Sequence, residues 1–158
     1  PDSLSLALNH QFSDKWTLRG DLTWTGWSKI QELRFIRDTG VTLGVTPENF
    51  RNTLRAGFGA SYRYNDRWTS KIGIAYDQTP VNDIDRTPRL PDSNRTWLAI
   101  GAQYRPSKDS ALDFGYTHLF MNNASINQNA TSTAAYGLLS GSYKNSVDIL
   151  GIQLSYRF

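Results

Sequence analysis

An arginine and a tryptophan stand close together at the end of residues 85–97, a proline-containing stretch that reads DRTPRLPDSNRTW. The planar guanidinium of an arginine can hold an anion through paired hydrogen bonds, and an indole offers an apolar wall. Arg95 and Trp97 are separated by one residue, so both would lie on the same face of a strand. The stretch is therefore a solvated loop or part of a binding site, depending on where these two side chains point.

The sequence offers little that could support covalent catalysis. It contains no cysteine, which excludes a disulfide framework and a thiolate zinc site. Its two histidines, His10 and His118, show no accompanying serine or carboxylate arrangement, whereas a nucleophile needs a positioned base. The net charge of +3 comes from 17 basic and 14 acidic residues that are scattered rather than clustered. We expect no enzymatic activity, no catalytic residue, no cofactor, no metal and no nucleic-acid partner.

The element that would position Arg95 and Trp97 is a β-strand. Between Trp16 and Ile30 the even positions are mostly apolar and the odd positions mostly polar, which is the alternation of a strand with one apolar face. The pattern recurs often enough to predict seven strands, most of them longer than the usual ~5–6 residues. The predicted strands are 3–12, 16–30, 51–64, 68–77, 95–105, 112–121 and about 146–158.

The connections between these strands alternate in length. No apolar run approaches the ~18 residues of a transmembrane helix. Tight turns at one end of the strands and long loops at the other end are typical of a transmembrane β-barrel of the bacterial outer membrane. The tight turns are 13–15, 65–67 and 106–110, and the long links are roughly 31–50, 78–94 and 122–145.

Aromatic residues beside the tight turns distinguish a membrane barrel from a soluble sheet. A row of Trp, Tyr and Phe at one level is typical of the interfacial girdle of a barrel. A soluble sandwich would instead have shorter strands, with aromatic residues spread along them. We therefore predict an all-β, antiparallel, up-and-down transmembrane β-barrel with even residues towards lipid and odd residues towards the lumen. The aromatic residues in question all have even numbers: Phe12, Trp16, Tyr62, Tyr64, Trp68, Tyr104, Tyr156 and Phe158.

Two features do not fit a complete and regular barrel. Near the start of the last strand, Val147 and Ile149 are odd while Asp148 is even, so we expect either a bulge or a late entry of this strand into the bilayer. Seven strands are also an odd number, whereas single-chain bacterial barrels have an even number. We interpret residues 1–158 as the C-terminal part of one barrel domain.

Several motifs resemble those of a known family. Residues 23–28 read TWTGWS, which is similar to the T-W-T-x-W-S strand of the FadL/TodX-type outer-membrane transporters of long-chain fatty acids and hydrocarbons. Further motifs follow in the same order along the chain, and the last of them is shared by outer-membrane proteins generally. They are RN at 51–52, AYDQTPV at 75–81, RLPDSNR at 89–95, GYTHLF at 115–120 and SYRF at 155–158.

The resemblance implies a 14-stranded barrel in the bacterial outer membrane, with its N-terminal plug and early strands absent from this chain. It implies passive uptake of a long-chain fatty acid or similar hydrophobic compound, bound in the lumen and released sideways into the membrane. The implied partners are that ligand, outer-membrane lipid and the missing N-terminal half of the same barrel. A general porin, an adhesin-type barrel and a structural fragment without transport remain alternatives. A porin requires an open polar lumen, whereas a fatty-acid pocket requires inward apolar side chains such as Trp27, Trp97 and Leu119.

The first candidates for ligand binding are Arg95 and Trp97, because both would face the lumen just below the long loops. The alternative for Arg95 is an ion pair with Asp77 or Asp92 that only ties down the loop.

Four further basic residues are weaker candidates. Arg86 and Arg89 would line the same entrance or stay solvated in the loop. Arg55 and Lys71 lie deeper, and we expect them to form a charge ladder with acidic residues more readily than to contact a ligand. The acidic residues expected in that ladder are Asp21 and Asp113.

Two of the long links carry predictions of their own. The link 31–50 contains apolar residues that would form either part of an outer groove or a strand extension above the membrane. The segment 122–145 is rich in Asn, Ser, Thr and Ala, and we expect a mobile outer loop there. The apolar residues of the first link are Leu33, Phe35, Ile36, Val41, Leu43 and Val45.

Overall fold

The seven predicted strands form one antiparallel sheet in a computed structural model that describes residues 1–128 and 139–158. Each long strand pairs with the next long strand along the chain, so the sheet is an up-and-down meander. The prediction of seven strands is confirmed. In spatial order they are β1 (Ser3–Gln11), β2 (Trp16–Thr25), β5 (Thr53–Arg63), β6 (Trp68–Asp77), β7 (Arg95–Tyr104), β8 (Ser110–Met121) and β11 (Ser146–Tyr156).

Two small hairpins occupy the long links. Strands β3 (Glu32–Ile36) and β4 (Thr42–Pro47) form a separate two-stranded sheet, and Gly40 adopts a φ of 81° in the turn between them. Except for Val41, which precedes β4, the apolar residues of this link thus lie in strands, as one of the two interpretations expected, but these strands do not extend the main sheet. Strands β9 (Ala124–Asn127) and β10 (Ser140–Tyr143) pair in the last link. The middle of the outer loop predicted at 122–145 lies outside the described residues.

The second strand ends earlier than its alternation indicated. We predicted it to continue to Ile30, but β2 stops at Thr25. The backbone N–H of Gly26 donates to the carbonyl of Asp2 at 2.8 Å, and the chain then turns into a short 3-10 helix, Trp27–Lys29. Because this turn takes Trp27 out of the strand, the period-two alternation did not predict the structure correctly beyond Thr25.

The even and odd faces of the sheet differ as predicted. Large apolar residues at even positions are exposed, for example Phe58, Ile72 and Ile100. The odd face is less exposed and carries most of the charged side chains of the strands. Among the described residues only five apolar side chains are buried, so the sheet does not enclose the apolar core of a soluble protein. They are Ala75, Val81, Leu119, Ala124 and Ile126.

Asp148 lies on the even face without a bulge. Strands β8 and β11 pair residue by residue over their whole overlap, and Asp148 stands directly opposite His118. Of the two alternatives predicted here, a bulge and a late entry of the strand into the bilayer, the bulge is therefore wrong. Asp148 is the third residue of β11, close to the end of the sheet that carries the long loops.

The aromatic residues beside the tight turns contact one another in pairs. Trp16 and Tyr62 are direct cross-strand partners with ring centroids 4.8 Å apart, and Trp68 and Tyr104 are partners at 4.6 Å. Such a row at one end of the even face is the arrangement expected of an interfacial girdle.

Both outer strands of the sheet have one unpaired edge. Among the strands that the structure describes, β1 pairs only with β2, and β11 pairs only with β8. These strands therefore form an open sheet and do not close into a barrel by themselves. Across the residues described, no helix combines the length and apolarity needed to cross a membrane.

Adjacent substitutions on β7 will distinguish the two faces. Ile100 is exposed on the even face, whereas Ala99 lies on the odd face between Gly73 and Thr117, which leave room for a longer side chain. We expect Ile100→Arg to lower the free energy of unfolding from lipid vesicles by about 2 to 4 kcal/mol, because it places a charge in lipid. Ala99→Arg should cost clearly less in the same denaturant titration. Equal costs for the two variants would contradict the assignment of faces.

Candidate ligand-binding site

A row of alternating charges crosses the odd face near the long loops. Cross-strand pairing places Arg55 opposite Asp77, and Asp77 opposite Arg95. The Arg95 guanidinium binds Asp77 through Nε at 2.9 Å and Nη2 at 2.8 Å, and its Nη1 lies 2.8 Å from Oδ1 of Asp92. The side chains of Arg95, Asp77 and Asp92 are only 25%, 15% and 18% exposed. Both ion pairs offered as alternatives for Arg95 are therefore present together.

These ion pairs fasten the 78–94 loop to the sheet. Asp92, which binds Arg95, also accepts a hydrogen bond from the hydroxyl of Thr79 at 2.6 Å. The backbone N–H of Thr79 donates to the side chain of Asn94 at 2.9 Å. The two ends of the loop are thus joined to each other and, through Asp92, to Arg95.

The cations of the predicted charge ladder are paired. The prediction that Arg55 lies deeper than Arg95 is wrong, because both stand opposite Asp77, whereas Lys71 does lie deeper. Arg55 forms an ion pair with Asp21, and Lys71 forms one with Asp113 at 2.6 Å. Gln103 also donates to Asp113, at 2.9 Å and 3.0 Å. Because Arg55 and Lys71 are 40% and 42% exposed, each pair contributes little to stability by itself. Because Arg55 and Lys71 both lie on the odd face, they contribute to the electrostatic environment of a molecule bound there.

A cavity of about 470 Å³ lies beneath the loops and includes both Arg55 and Arg95. Trp27 and Phe50 meet edge to face in its wall, with ring centroids 6.3 Å apart. The cavity therefore combines two guanidinium groups, the carboxylates of Asp77 and Asp92, and an apolar wall. Sequence reasoning selected Arg55, Arg95 and Trp27 but missed further lining residues, because these come from loops without alternation. The missed apolar lining residues are Phe50, Pro80 and Leu90.

Trp97 lies one row deeper on the odd face. Its cross-strand partners are Ala75 and Leu119, both buried. The indole faces a second cavity, of about 240 Å³, whose floor is made by small residues such as Gly57 and Gly73. Among the described residues, the buried Nε1 of Trp97 has no hydrogen-bond acceptor. Apolar side chains thus lie below the charged row, although charged residues also line this second cavity, namely Arg19, Asp21 and Arg55.

Arg86 is buried in the loops rather than solvated. Its side chain is 2% exposed, and it donates to the carbonyl oxygens of Asp92 and Ser125 and to the carboxylate of Asp83. The prediction of a solvated loop charge is therefore wrong for Arg86, because these oxygens replace the water that a guanidinium needs. Arg86 lines a separate polar cavity of about 260 Å³ and not the cavity of Arg95. Arg89 is exposed, as a solvated loop charge would be.

A buried carboxyl group lies where the first two long loops meet. Glu48 is 5% exposed, and burial raises its pKa above the ordinary value of 4.5, with Arg89 opposing this shift and Asp85 adding to it. Beside it, the side chain of Asn82 donates to the carbonyl of Asn49 at 3.1 Å and to Asp85 at 3.0 Å. Asn49 has a φ of 43°, a left-handed conformation that asparagine tolerates. The loops above the cavity are thus held to each other as well as to the sheet.

Comparison with known sequences identifies the family. The profile of the family described as outer membrane protein transport protein (OMPP1/FadL/TodX) matches residues 1–158. The chain is 38% identical over 170 residues to a putative outer membrane protein of Neisseria meningitidis, covering 100% of this chain and 36% of that protein. It is 31% identical over 128 residues to the long-chain fatty acid transport protein of Escherichia coli K12, covering 81% of this chain and 29% of that protein.

Solved structures give the same result for the fold. The crystal structure of a Pseudomonas aeruginosa FadL homologue superposes with a TM-score of 0.90 at 30% identity, covering 98% of this chain and 35% of that one. The Pseudomonas putida toluene transporter TodX superposes with a TM-score of 0.58 at 23% identity, covering 98% and 33%, which is a likeness of fold alone.

The seven-stranded sheet is thus part of a transmembrane β-barrel of the outer membrane. The chain belongs to the OMPP1/FadL/TodX family of outer-membrane transport proteins. It spans about a third of the length of the relatives that it matches. Several of these relatives are named as transport proteins for long-chain fatty acids, and none of those names denotes an enzyme.

The buried side chain of Arg86 will contribute more to the order of the 78–94 loop than the exposed side chain of Arg89. Arg86→Ala leaves the carbonyl oxygens of Asp92 and Ser125 without this donor, which should cost about 1 to 3 kcal/mol of local stability. We expect faster hydrogen exchange in the 78–94 loop of Arg86→Ala and unchanged exchange in the matched variant Arg89→Ala. Equal hydrogen exchange in the two variants would show that Arg86 does not hold the 78–94 loop in place.

Proposed function

We propose that the complete protein takes up long-chain fatty acids or similar hydrophobic compounds across the outer membrane by passive diffusion. The observation that carries this proposal is the cavity beneath the loops, where Arg55 and Arg95 stand against an apolar wall that includes Trp27 and Phe50. A guanidinium suits a carboxylate head group, and the aromatic wall suits an apolar tail. The long-chain fatty acid transport proteins among the relatives support the same ligand class.

The ligand would pass from the upper cavity to the deeper one. Arg95 and Arg55 would hold its carboxylate, and the row that contains Ala75, Trp97 and Leu119 would contact its tail. The apolar character of this inner row favours a hydrophobic ligand over the polar solutes of a general porin. Release would then occur sideways through the wall into the membrane, in a part of the barrel formed by the remainder of the protein. No covalent step is required.

The unpaired edges of β1 and β11 support a further element of this proposal. In lipid every backbone polar group has to be paired within the protein, and an open sheet edge is unstable there. We propose that strands from the N-terminal half of the same protein pair with both edges and close the barrel, and that outer-membrane lipid covers its even face.

Substitution of Arg95 will test the binding site in the complete protein. We expect Arg95→Ala to weaken binding of a long-chain fatty acid by about 10- to 100-fold in a calorimetric titration, because a charged hydrogen-bond partner is removed. Binding of the long-chain alcohol with the same number of carbons should be unchanged, since it has no carboxylate. Arg95→Lys should restore part of the fatty-acid affinity through its charge.

The alcohol separates a ligand contact from a structural role. If Arg95 only ties down the loop, Arg95→Ala should weaken the acid and the alcohol equally. Unchanged affinity for the acid in Arg95→Ala would contradict the proposed contact.

A further inference from the structure

A further charged cavity lies beside the tight turns, at the opposite end of the sheet from Arg95. It has a volume of about 440 Å³ and lies between the turn that joins β7 to β8 and the end of β11. In a barrel of the outer membrane the tight turns are on the periplasmic side, so this cavity is separate from the proposed fatty-acid site. Six of its lining residues are Arg105, Lys108, Asp109, Ala111, Ser155 and Arg157.

The cavity carries more positive than negative charge. Arg105, Lys108 and Arg157 line it together with a single carboxylate, that of Asp109, so three cations and one anion give a formal charge of +2. Among the residues that the structure describes, none of these four side chains belongs to an ion pair. The cations of the charge ladder, by contrast, each bind a carboxylate. The described part of the chain therefore does not balance the charge of this cavity.

Two small side chains lie between the two arginines. Ser155 of β11 pairs with Ala111 of β8, and Arg157 stands two residues beyond Ser155. Arg105 directly follows the last residue of β7, which brings it beside Ala111. Neighbouring strands are ~4.8 Å apart, so the two arginines stand on either side of one strand, with their backbones about 10 Å apart. Their long side chains can therefore reach the same anion above Ala111 and Ser155.

Hydrogen bonds of the backbone fix the positions of both arginines. The backbone N–H of Arg157 donates to the carbonyl of Asp109 at 2.8 Å, and that of Arg105 donates to the carbonyl of Arg67 at 2.8 Å. The Ser155 hydroxyl accepts a hydrogen bond from a glutamine side chain of β11 at 3.3 Å, so its own proton can be donated to a ligand. The cavity thus presents guanidinium, ammonium and hydroxyl donors around a small space.

We propose that this cavity binds the phosphate group of a small periplasmic phosphate monoester. Such a group carries a charge of about −1.5 to −2 at pH 7 and three acceptor oxygens, which complements the positive charge of the cavity. The guanidinium groups of Arg105 and Arg157 bind its oxygens in pairs, and Lys108 adds a point charge. A single carboxylate would leave one positive charge unbalanced. The volume falls in the range of about 300 to 1,000 Å³ that is usual for small-molecule sites, so it also accommodates the organic part of the ester.

Two substitutions in the complete protein test this site. Arg105→Gln and Arg157→Gln each remove one guanidinium, and the matched control is Arg67→Gln, at the same end of the sheet but outside the cavity. The probe is glycerol 3-phosphate, titrated in detergent by calorimetry at about 0.15 M salt, which screens the effect of distant charges. Inorganic phosphate and acetate are the comparison ligands. Circular dichroism establishes that each variant retains its strand content, and the measurement does not depend on fatty-acid binding.

We expect Arg105→Gln and Arg157→Gln each to weaken binding of glycerol 3-phosphate by about tenfold or more, because a charged hydrogen-bond donor is lost, and Arg67→Gln to leave it unchanged. The affinity should also fall as the pH is lowered through about 6, where the phosphate gains its second proton. The absence of binding to the unsubstituted protein, or equal affinity in all four proteins, would overturn the proposal. Acetate or inorganic phosphate that binds as tightly as glycerol 3-phosphate would overturn the assignment to a phosphate monoester.

Discussion

The structure depends on one constraint, which is that a strand crossing lipid has to pair its backbone without interruption while its side chains alternate between two environments. A register shift of one residue would exchange the environments of all its side chains. The observed pairings accordingly run without a shift through all seven strands of the main sheet. This regularity places Arg95 and Trp97 on one face and Leu98 and Ile100 on the other, and it decides which residues are available to a ligand.

The upper part of the odd face carries charged side chains that form ion pairs across neighbouring strands. Arg55, Asp77 and Arg95 follow one another on three neighbouring strands, and the row continues into the 78–94 loop through Asp92. The same contacts that hold the loop therefore shape the upper cavity. A fatty-acid carboxylate entering this cavity would compete with Asp77 and Asp92 for Arg95, so a structural role and a binding role for Arg95 are compatible.

Sequence reasoning predicted what depends on alternation and missed what depends on loops. The seven strands, their faces and a charge ladder on the odd face followed from parity, because residues of the same parity share a face in a regular meander. The ladder was predicted to join Arg55 and Lys71 with Asp21 and Asp113, and parity did not indicate which cation binds which carboxylate. The burial of Arg86 did not follow, since its acceptors are carbonyl oxygens of the loop and of the distant strand β9. The early end of β2 and the contact between His118 and Asp148 were missed for a similar reason: one depends on a hydrogen bond to Asp2, the other on a partner 30 residues away.

Spin labels on the two faces of the sheet test the central assignment most directly. In the protein inserted into lipid vesicles, labels at Leu22, Phe58 and Ile100 should be protected from a water-soluble relaxation agent and accessible to oxygen dissolved in the bilayer. Labels at Thr23 and Ala99, on the opposite face, should show lower accessibility to oxygen than their neighbours. Strong relaxation of the even-face labels by the water-soluble agent, or equal behaviour of neighbouring positions, would contradict the barrel and every site derived from it.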